Sequence, residues 1–322
     1  MSKRILKTII TVAFVIASAF ASTGYAYAED KPAVWLQISP VANRVTIDPG
    51  VELTHTMRVD NIGSETFKFR VYATPYTVAN EAYEINFSTN TSRTQISRWI
   101  TFNQNVDAKK DSEKDWVTEA TFELAPDEHR DVEYKISVPD DIPSGGQYAT
   151  IFAESIPDSN ATSTGVKTIS RVGLILYGST TGETVDNAVI SNVGAKTFMT
   201  GGRITAEADI ANEGNTDFSS KMTVEIEKVF GGKVAELEGS YPVIPDSPTR
   251  HIALEWEDTP SFGLFKVKIV ATALDQKVEV TKIVIILPVF VIIIVVILLT
   301  IIIAWLIMLI KKRRAQKSRL IV

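Results

Sequence analysis

The residues able to do chemistry are few and far apart. There are three histidines and no cysteine. His55 falls in phase with Leu53, Met57 and Val59 on the apolar side of an alternating strand, the place of a satisfied core histidine. His129 lies in the turn Pro126–Arg130, and His251 is out of phase with Ile252 and Leu254 and should face solvent. Hydrolysis needs a nucleophile, a base in reach of it and a group that orients the base. No histidine has a Ser-x-Gly elbow or a second histidine at ligand spacing. Asp107, Asp111 and Asp115 recur every four residues, but Lys109, Lys110 and Lys114 interrupt them and no Asp-x-Asp-x-Asp-Gly calcium loop exists. That stretch reads as a solvated loop. The absence of cysteine removes thiolate chemistry and cysteine metal sites. No catalytic residue, cofactor or metal site is expected.

Binding is a different matter. Trp99, Phe102 and Trp116 stand among polar neighbours between Ala79 and Glu119. Aromatic rings pack on the apolar faces of sugars and anchor protein interfaces. The same rings could instead cover one edge of a sheet, and both readings stay open. The surrounding segment is marked as an insertion by an internal repeat. Val59-Asp60-Asn61-Ile62-Gly63 with Phe67 is echoed by Ile210-Ala211-Asn212-Glu213-Gly214 with Phe218. Ala125-Pro126-Asp127 with Arg130 is echoed by Ile244-Pro245-Asp246 with Arg250. Ile142-Pro143-Ser144-Gly145-Gly146-Gln147-Tyr148 is echoed by Thr259-Pro260-Ser261-Phe262-Gly263-Leu264-Phe265. The first pair is offset by 151 residues and the next two by 119 and 117. Two homologous units therefore occupy about 33–180 and 185–282, and the first carries extra chain at about 79–119.

The elements that hold these residues are strands. Val132, Tyr134, Ile136 and Val138 alternate with polar residues, as do Phe67, Phe69 and Val71, and Phe265, Val267, Ile269 and Ala271. A period of two with one apolar side belongs to antiparallel sheets, and many short strands between turns make a sandwich. The expected fold class is all-β: two tandem immunoglobulin-like antiparallel β-sandwiches followed by a single transmembrane helix.

The two ends set the expected topology. Lys3, Arg4 and Lys7 precede an apolar stretch and Ala26-Tyr27-Ala28, which predicts a signal peptide over 1–28 cut between Ala28 and Glu29. From Ile283 to Ile310 no residue is charged, and Lys311-Lys312-Arg313-Arg314 follows. With Pro288 in its first turn, a membrane helix is expected at 288–310. The basic tail 311–322 then stays in the cytoplasm and everything before the helix lies outside. Nine of the 33 basic residues belong to these two ends, which leaves 24 against 38 acidic ones in the ectodomain. That acidic surface argues against nucleic acid as a partner. A cysteine-free ectodomain of this size points to a bacterial or archaeal envelope. The sequence leaves the oligomeric state open.

The motifs also resemble a known family. Asp48-Pro49-Gly50, Asn61-Ile62-Gly63, Trp99-Ile100 and Val138-Pro139-Asp140-Asp141-Ile142-Pro143-Ser144-Gly145-Gly146-Gln147-Tyr148 are similar to the N-terminal module of WxL-interacting cell-surface proteins of Gram-positive-type bacteria. The resemblance covers roughly 33–180. It implies a peptidoglycan-binding β-module and a partner among WxL-type surface proteins. No Trp-x-Leu tripeptide occurs here, so the resemblance implies the membrane-anchored partner. Two functions are expected as alternatives: holding cell-wall glycan or a WxL-type protein at the envelope, or serving as a stalk or assembly factor that takes a secreted partner by strand addition.

Overall fold

The computed structural model describes residues 31–157, except 106 and 109, and 169–319, with side chains as far as 310. The expected signal peptide, the cleavage point between Ala28 and Glu29, and the side chains of the basic tail lie outside the described residues.

Strand formation follows the alternation. In the first half β1 (Leu36–Ser39), β3 (Glu52–Asn61), β10 (His129–Ser137), β7 (Ile100–Asn103) and β8 (Trp116–Val117) form one sheet in that order. A second sheet runs β2 (Ala42–Thr46), β12 (Arg171–Ser179), β11 (Gly146–Ile156), β4 (Phe67–Pro75) and β9 (Glu119–Leu124). Met57, Val59, Phe102, Val132, Tyr134 and Ile136 from one sheet meet Phe69, Val71, Ile151, Leu174 and Leu176 from the other in one core. A small two-stranded sheet, β5 (Thr77–Val78) with β6 (Ile85–Asn86), stands apart.

The second half repeats the plan. β13 (Ala188–Ala195), β15 (Ile204–Asn212) and β18 (Arg250–Trp256) form one sheet. β14 (Phe198–Met199), β20 (Gln276–Ile286), β19 (Gly263–Ala273), β16 (Phe218–Lys228) and β17 (Lys233–Val243) form the other. This is the strand order of the first half without β7 and β8. In each half the leading strand splits between the sheets: β2 runs parallel to β12, and β14 parallel to β20. A separate core gathers Ile210, Val224, Trp256, Phe265, Val267 and Ile286. The described residues are mostly β-sheet with one apolar C-terminal helix.

The echoed residues do equivalent jobs. Buried Asn61 donates to the carbonyls of Glu65 (2.9 Å) and Leu124 (3.2 Å) and accepts from the Gly63 N–H (2.9 Å). Asn212 donates to Thr216 (2.8 Å) and Val243 (2.9 Å) and accepts from Gly214 (2.9 Å). Each amide thus ties its own turn to the end of a strand in the facing sheet. Asp127 and Asp246 take φ of 59° and 56° after their prolines, a turn geometry that aspartate tolerates. A Cβ on Gly146 would meet the Tyr148 ring, and one on Gly263 the Phe265 ring, so each glycine makes room for the aromatic two residues on.

Two boundaries differ from expectation. Residues Ile283 to Ile286 belong to β20, with Val284 and Ile286 in the core, so the second unit runs past 282. Alternating burial makes them strand, whereas their lack of charge sets them apart in sequence from the second unit as a lead-in to the helix. Helix α1 (Val289–Arg319) begins one residue after Pro288, whose carbonyl accepts from the Val291 N–H at 2.9 Å. Its apolar part, Val289–Ile310, has 22 residues with a mean hydropathy of 3.5, long and apolar enough to cross a membrane.

Candidate functional site: the cleft between the two units

The aromatics of the insertion were open to two readings, as contact residues or as cover for a sheet edge, and the structure gives them work within the first unit. Strand β7 pairs with β10, placing Phe102 opposite Tyr134. Alternate residues of a strand share a face, so Ile100 and Phe102 both enter the core, and Phe102 is fully buried. Phe102 is therefore corrected from contact residue to core residue. Trp99 ends a 3-10 turn (Gln95–Arg98), is half-buried and packs against the same core. Trp116 is half-buried on β8, with the ammonium groups of Lys135 and Lys114 at 4.9 and 5.8 Å from its ring centre. These three rings do not form one exposed face. Strands β7 and β8 continue the first sheet beyond β10, so the insertion cannot be trimmed without opening the core.

The histidines are equally dispersed. His55 faces inward as expected and lies 5.6 Å from the Tyr134 ring, but its buried Nε2 has no hydrogen-bond partner. Burial holds its pKa below the ordinary value. His251 is exposed and its Nδ1 lies 2.7 Å from Asp209. Among the described residues no group of three His, Asp or Glu side chains is placed to hold a metal ion.

The β5–β6 hairpin, which leads into the insertion, builds a joint to the second unit. Tyr76, Val78 and Tyr83 pack with Tyr148 and Tyr177 of the first unit and Ile244 of the second. Sequence patterning missed this cluster. Residues 146–153 are buried on both faces of β11, and the signal was the near-continuous apolar run Tyr148-Ala149-Thr150-Ile151-Phe152-Ala153 where alternation should stand. Polar contacts complete the joint. The Ile244 N–H donates to the Tyr83 hydroxyl (2.7 Å), the His251 N–H to the Glu81 carbonyl (2.9 Å), and the Gly146 N–H to the Asn215 carbonyl (2.7 Å). Arg44 pairs with Asp217 at 2.6 Å, and Arg93 with Asp246 at 3.1 Å. The Arg250 guanidinium lies 3.8 Å from the Tyr83 ring centre and 5.1 Å from that of Tyr241, and donates to the Pro242 carbonyl. At Gly145, with φ of 100°, a Cβ would fall 2.2 Å from the Asn215 carbonyl oxygen, so only glycine lets the two loops approach this closely.

Beside the joint opens a cleft of about 380 Å³, between Tyr76, Asn86, Thr89 and Arg93 of the first unit and Pro245 and Asp246 of the second. Its walls offer threonine hydroxyls, an amide and an ion pair, with the Tyr76 and Tyr148 rings buried beneath them. Burial pushes the phenols of Tyr76 and Tyr148 well above the ordinary tyrosine range, so they act as neutral hydrogen-bonding groups. The arrangement can hydrogen-bond a polar molecule.

No protein-family model matches the chain, and no curated protein does. Solved structures match at low similarity. The class 5 fimbriae chaperone CfaA is 13% identical, with 77% of this chain and 98% of that one covered at a TM-score of 0.36. The Escherichia coli chaperone DraB is 12% identical, with the same coverage and a TM-score of 0.34. A PapD-like domain of human CEP192 is 14% identical, covering 46% of this chain and 87% of that one at 0.28. Likeness at this level carries nothing about ligand or partner.

Proposed function

We propose that the protein is a non-catalytic binding protein of the cell envelope: two tandem immunoglobulin-like sandwiches held outside the membrane by a single helix, with the basic tail in the cytoplasm. Its ligand is a cell-wall glycan of the peptidoglycan type, taken in the cleft at the joint. One observation carries this reading. The cleft brings the hydroxyls of Thr77, Thr89 and Thr91, the Asn86 amide and the Arg93–Asp246 ion pair to one opening, a set that can hydrogen-bond the hydroxyl rim of a sugar. Its position agrees. The joint contacts β18 at Arg250 and His251, whereas the chain enters α1 from the opposite end of the second unit, beside Gly263 and Met199. Strands of 11 residues at about 3.3 Å each lift the cleft some 35 Å from the helix entry.

The test is co-sedimentation of the full chain, in detergent, with purified cell walls. Filling the cleft with Thr89→Trp, at an exposed loop position, should cut wall binding at least tenfold and leave the melting temperature in place. Undiminished binding by that variant moves the ligand elsewhere.

A WxL-type or other secreted protein added along a sheet edge is the second reading. Strand β17 favours it, having 11 residues and β16 as its partner on one side. Capture of such a protein without walls, unaffected by Thr89→Trp, selects it.

A further inference from the structure

The outer face of the sheet β14-β20-β19-β16 changes character along its length. Near the joint it carries Lys277 and Glu279 on β20, Thr272 and Val270 on β19, and Lys221 and Thr223 on β16. At the other end, one cross-strand row reads Phe198, Ile285, Leu264 and Val229: Phe198 is opposite Ile285, Ile285 opposite Leu264, and the Val229 N–H donates to the Leu264 carbonyl at 3.1 Å. All four are exposed, at 53, 40, 40 and 39%. Ile283 stands in the next row at 47%. Beyond the row, two turns hold out Phe230 and Phe262, exposed by 89 and 73%. Outside α1, Phe198, Phe230 and Phe262 are the exposed phenylalanines among the described residues, and all three gather at this end. It is the end where β20 stops at Ile286, with two residues between it and the start of α1.

We infer that this end of the second unit is a membrane-seated collar, with Phe230 and Phe262 inserted into the headgroup–acyl boundary and the row behind them resting on the lipid surface. The occupant is fixed by continuity. A linker of Leu287 and Pro288 cannot carry the unit away from the bilayer that α1 crosses, so these side chains reach lipid whether or not any protein partner is present. The charges agree with that depth. The row above the apolar one places Lys266 against Glu227 at 3.4 Å, a zwitterionic level suited to headgroups. Residues with apolar bodies at this boundary bind with a strength that follows the apolar area they bury. The two-residue linker and the collar together would hold the second unit at a set tilt on the membrane and so aim the cleft.

The inference rests on α1 crossing a bilayer, and the test separates the two. The chain has no cysteine, so Phe230→Cys, Phe262→Cys, Ile297→Cys and Lys68→Cys each give one labelling site in the full-length protein. Each variant carries an environment-sensitive fluorophore and is reconstituted in phosphatidylcholine vesicles containing lipids brominated near the headgroup or deep in the acyl chain. Labels at 230 and 262 should be blue-shifted and quenched by shallow bromine, the label at 297 by deep bromine, and the label at 68 by neither. A lipid-quenched 297 with water-exposed 230 and 262 overturns the collar and leaves the anchor standing. An unquenched 297 overturns the anchor and the collar with it. Labels at 230 and 262 that are shielded but unquenched by lipid, as in association between copies, overturn the collar as well.

Discussion

At the residue scale, the most informative side chains are buried polar ones. Asn61 and Asn212 each hydrogen-bond three backbone groups. Removing such an amide strands buried carbonyls and costs about 1–3 kcal/mol. Asn61→Ala and Asn212→Ala should therefore each lower unfolding free energy by that amount in denaturant titrations. His55 presents the opposite case, a buried ring nitrogen without a partner. Its pKa is held below the ordinary 6.5 by desolvation, so the unfolded chain binds the proton more readily. That gives stability which is full above about pH 6.5 and is lost as the pH falls below it. His55→Phe removes the orphan atom and the titration together. It should match the parent or exceed it at pH 7, and its margin should widen on titration towards pH 5. A margin that shrinks on acidification would show that His55 is protonated in the fold.

At the element scale, β20 decides where the second unit ends. Val284 is completely buried and Ile286 nearly so, and both touch the second core. Fragments ending at 282 and at 286 should therefore behave differently. Residues 185–286 should unfold cooperatively, whereas 185–282 should lack two core side chains, each worth about 1.5–3 kcal/mol, and show a shallow transition. Circular dichroism melts of the two fragments make the comparison. The insertion teaches a related lesson. Its strand β7 supplies Ile100 and Phe102 to the first core, and its Tyr83, in the turn of the β5–β6 hairpin, packs at the joint.

At the scale of the whole molecule, the joint decides whether two units act as one body. Aromatic packing around Tyr83, the stacked Arg250 and the Arg93–Asp246 pair lie along one seam. The exposed ion pair contributes little, and the desolvated rings and stacked guanidinium contribute most. Tyr83→Ala with Arg250→Ala should uncouple the units. Calorimetry should then resolve two transitions in place of one coupled transition, the less stable unit falling by about 4–8 °C for each kcal/mol of lost contact. Small-angle scattering should show a broader range of extensions in the double variant. A single unshifted transition would mean that the seam does not couple the units.

The sequence by itself determined the all-β class, the echoed turn motifs and the apolar helix, because each is written in short-range pattern. Alternation sets which face of a strand is dry, and Asn-x-Gly and Pro-Asp set where the chain turns. Those motifs reappear as the two buried amides and the two aspartates with positive φ. Tertiary structure alone decided what the aromatics do. Trp99, Phe102 and Trp116 looked like a binding group because polar residues surround them in sequence. Strand pairing across more than thirty positions then put Phe102 opposite Tyr134 and out of reach. The joint was illegible for the same reason. Tyr83, Tyr148 and Ile244 stand far apart in the chain, and no local period records that they will share one dry contact. Periodicity reports whether a side chain is buried within its own sheet. Burial by another unit depends on how finished sheets pack, and that is settled only after folding brings distant faces together.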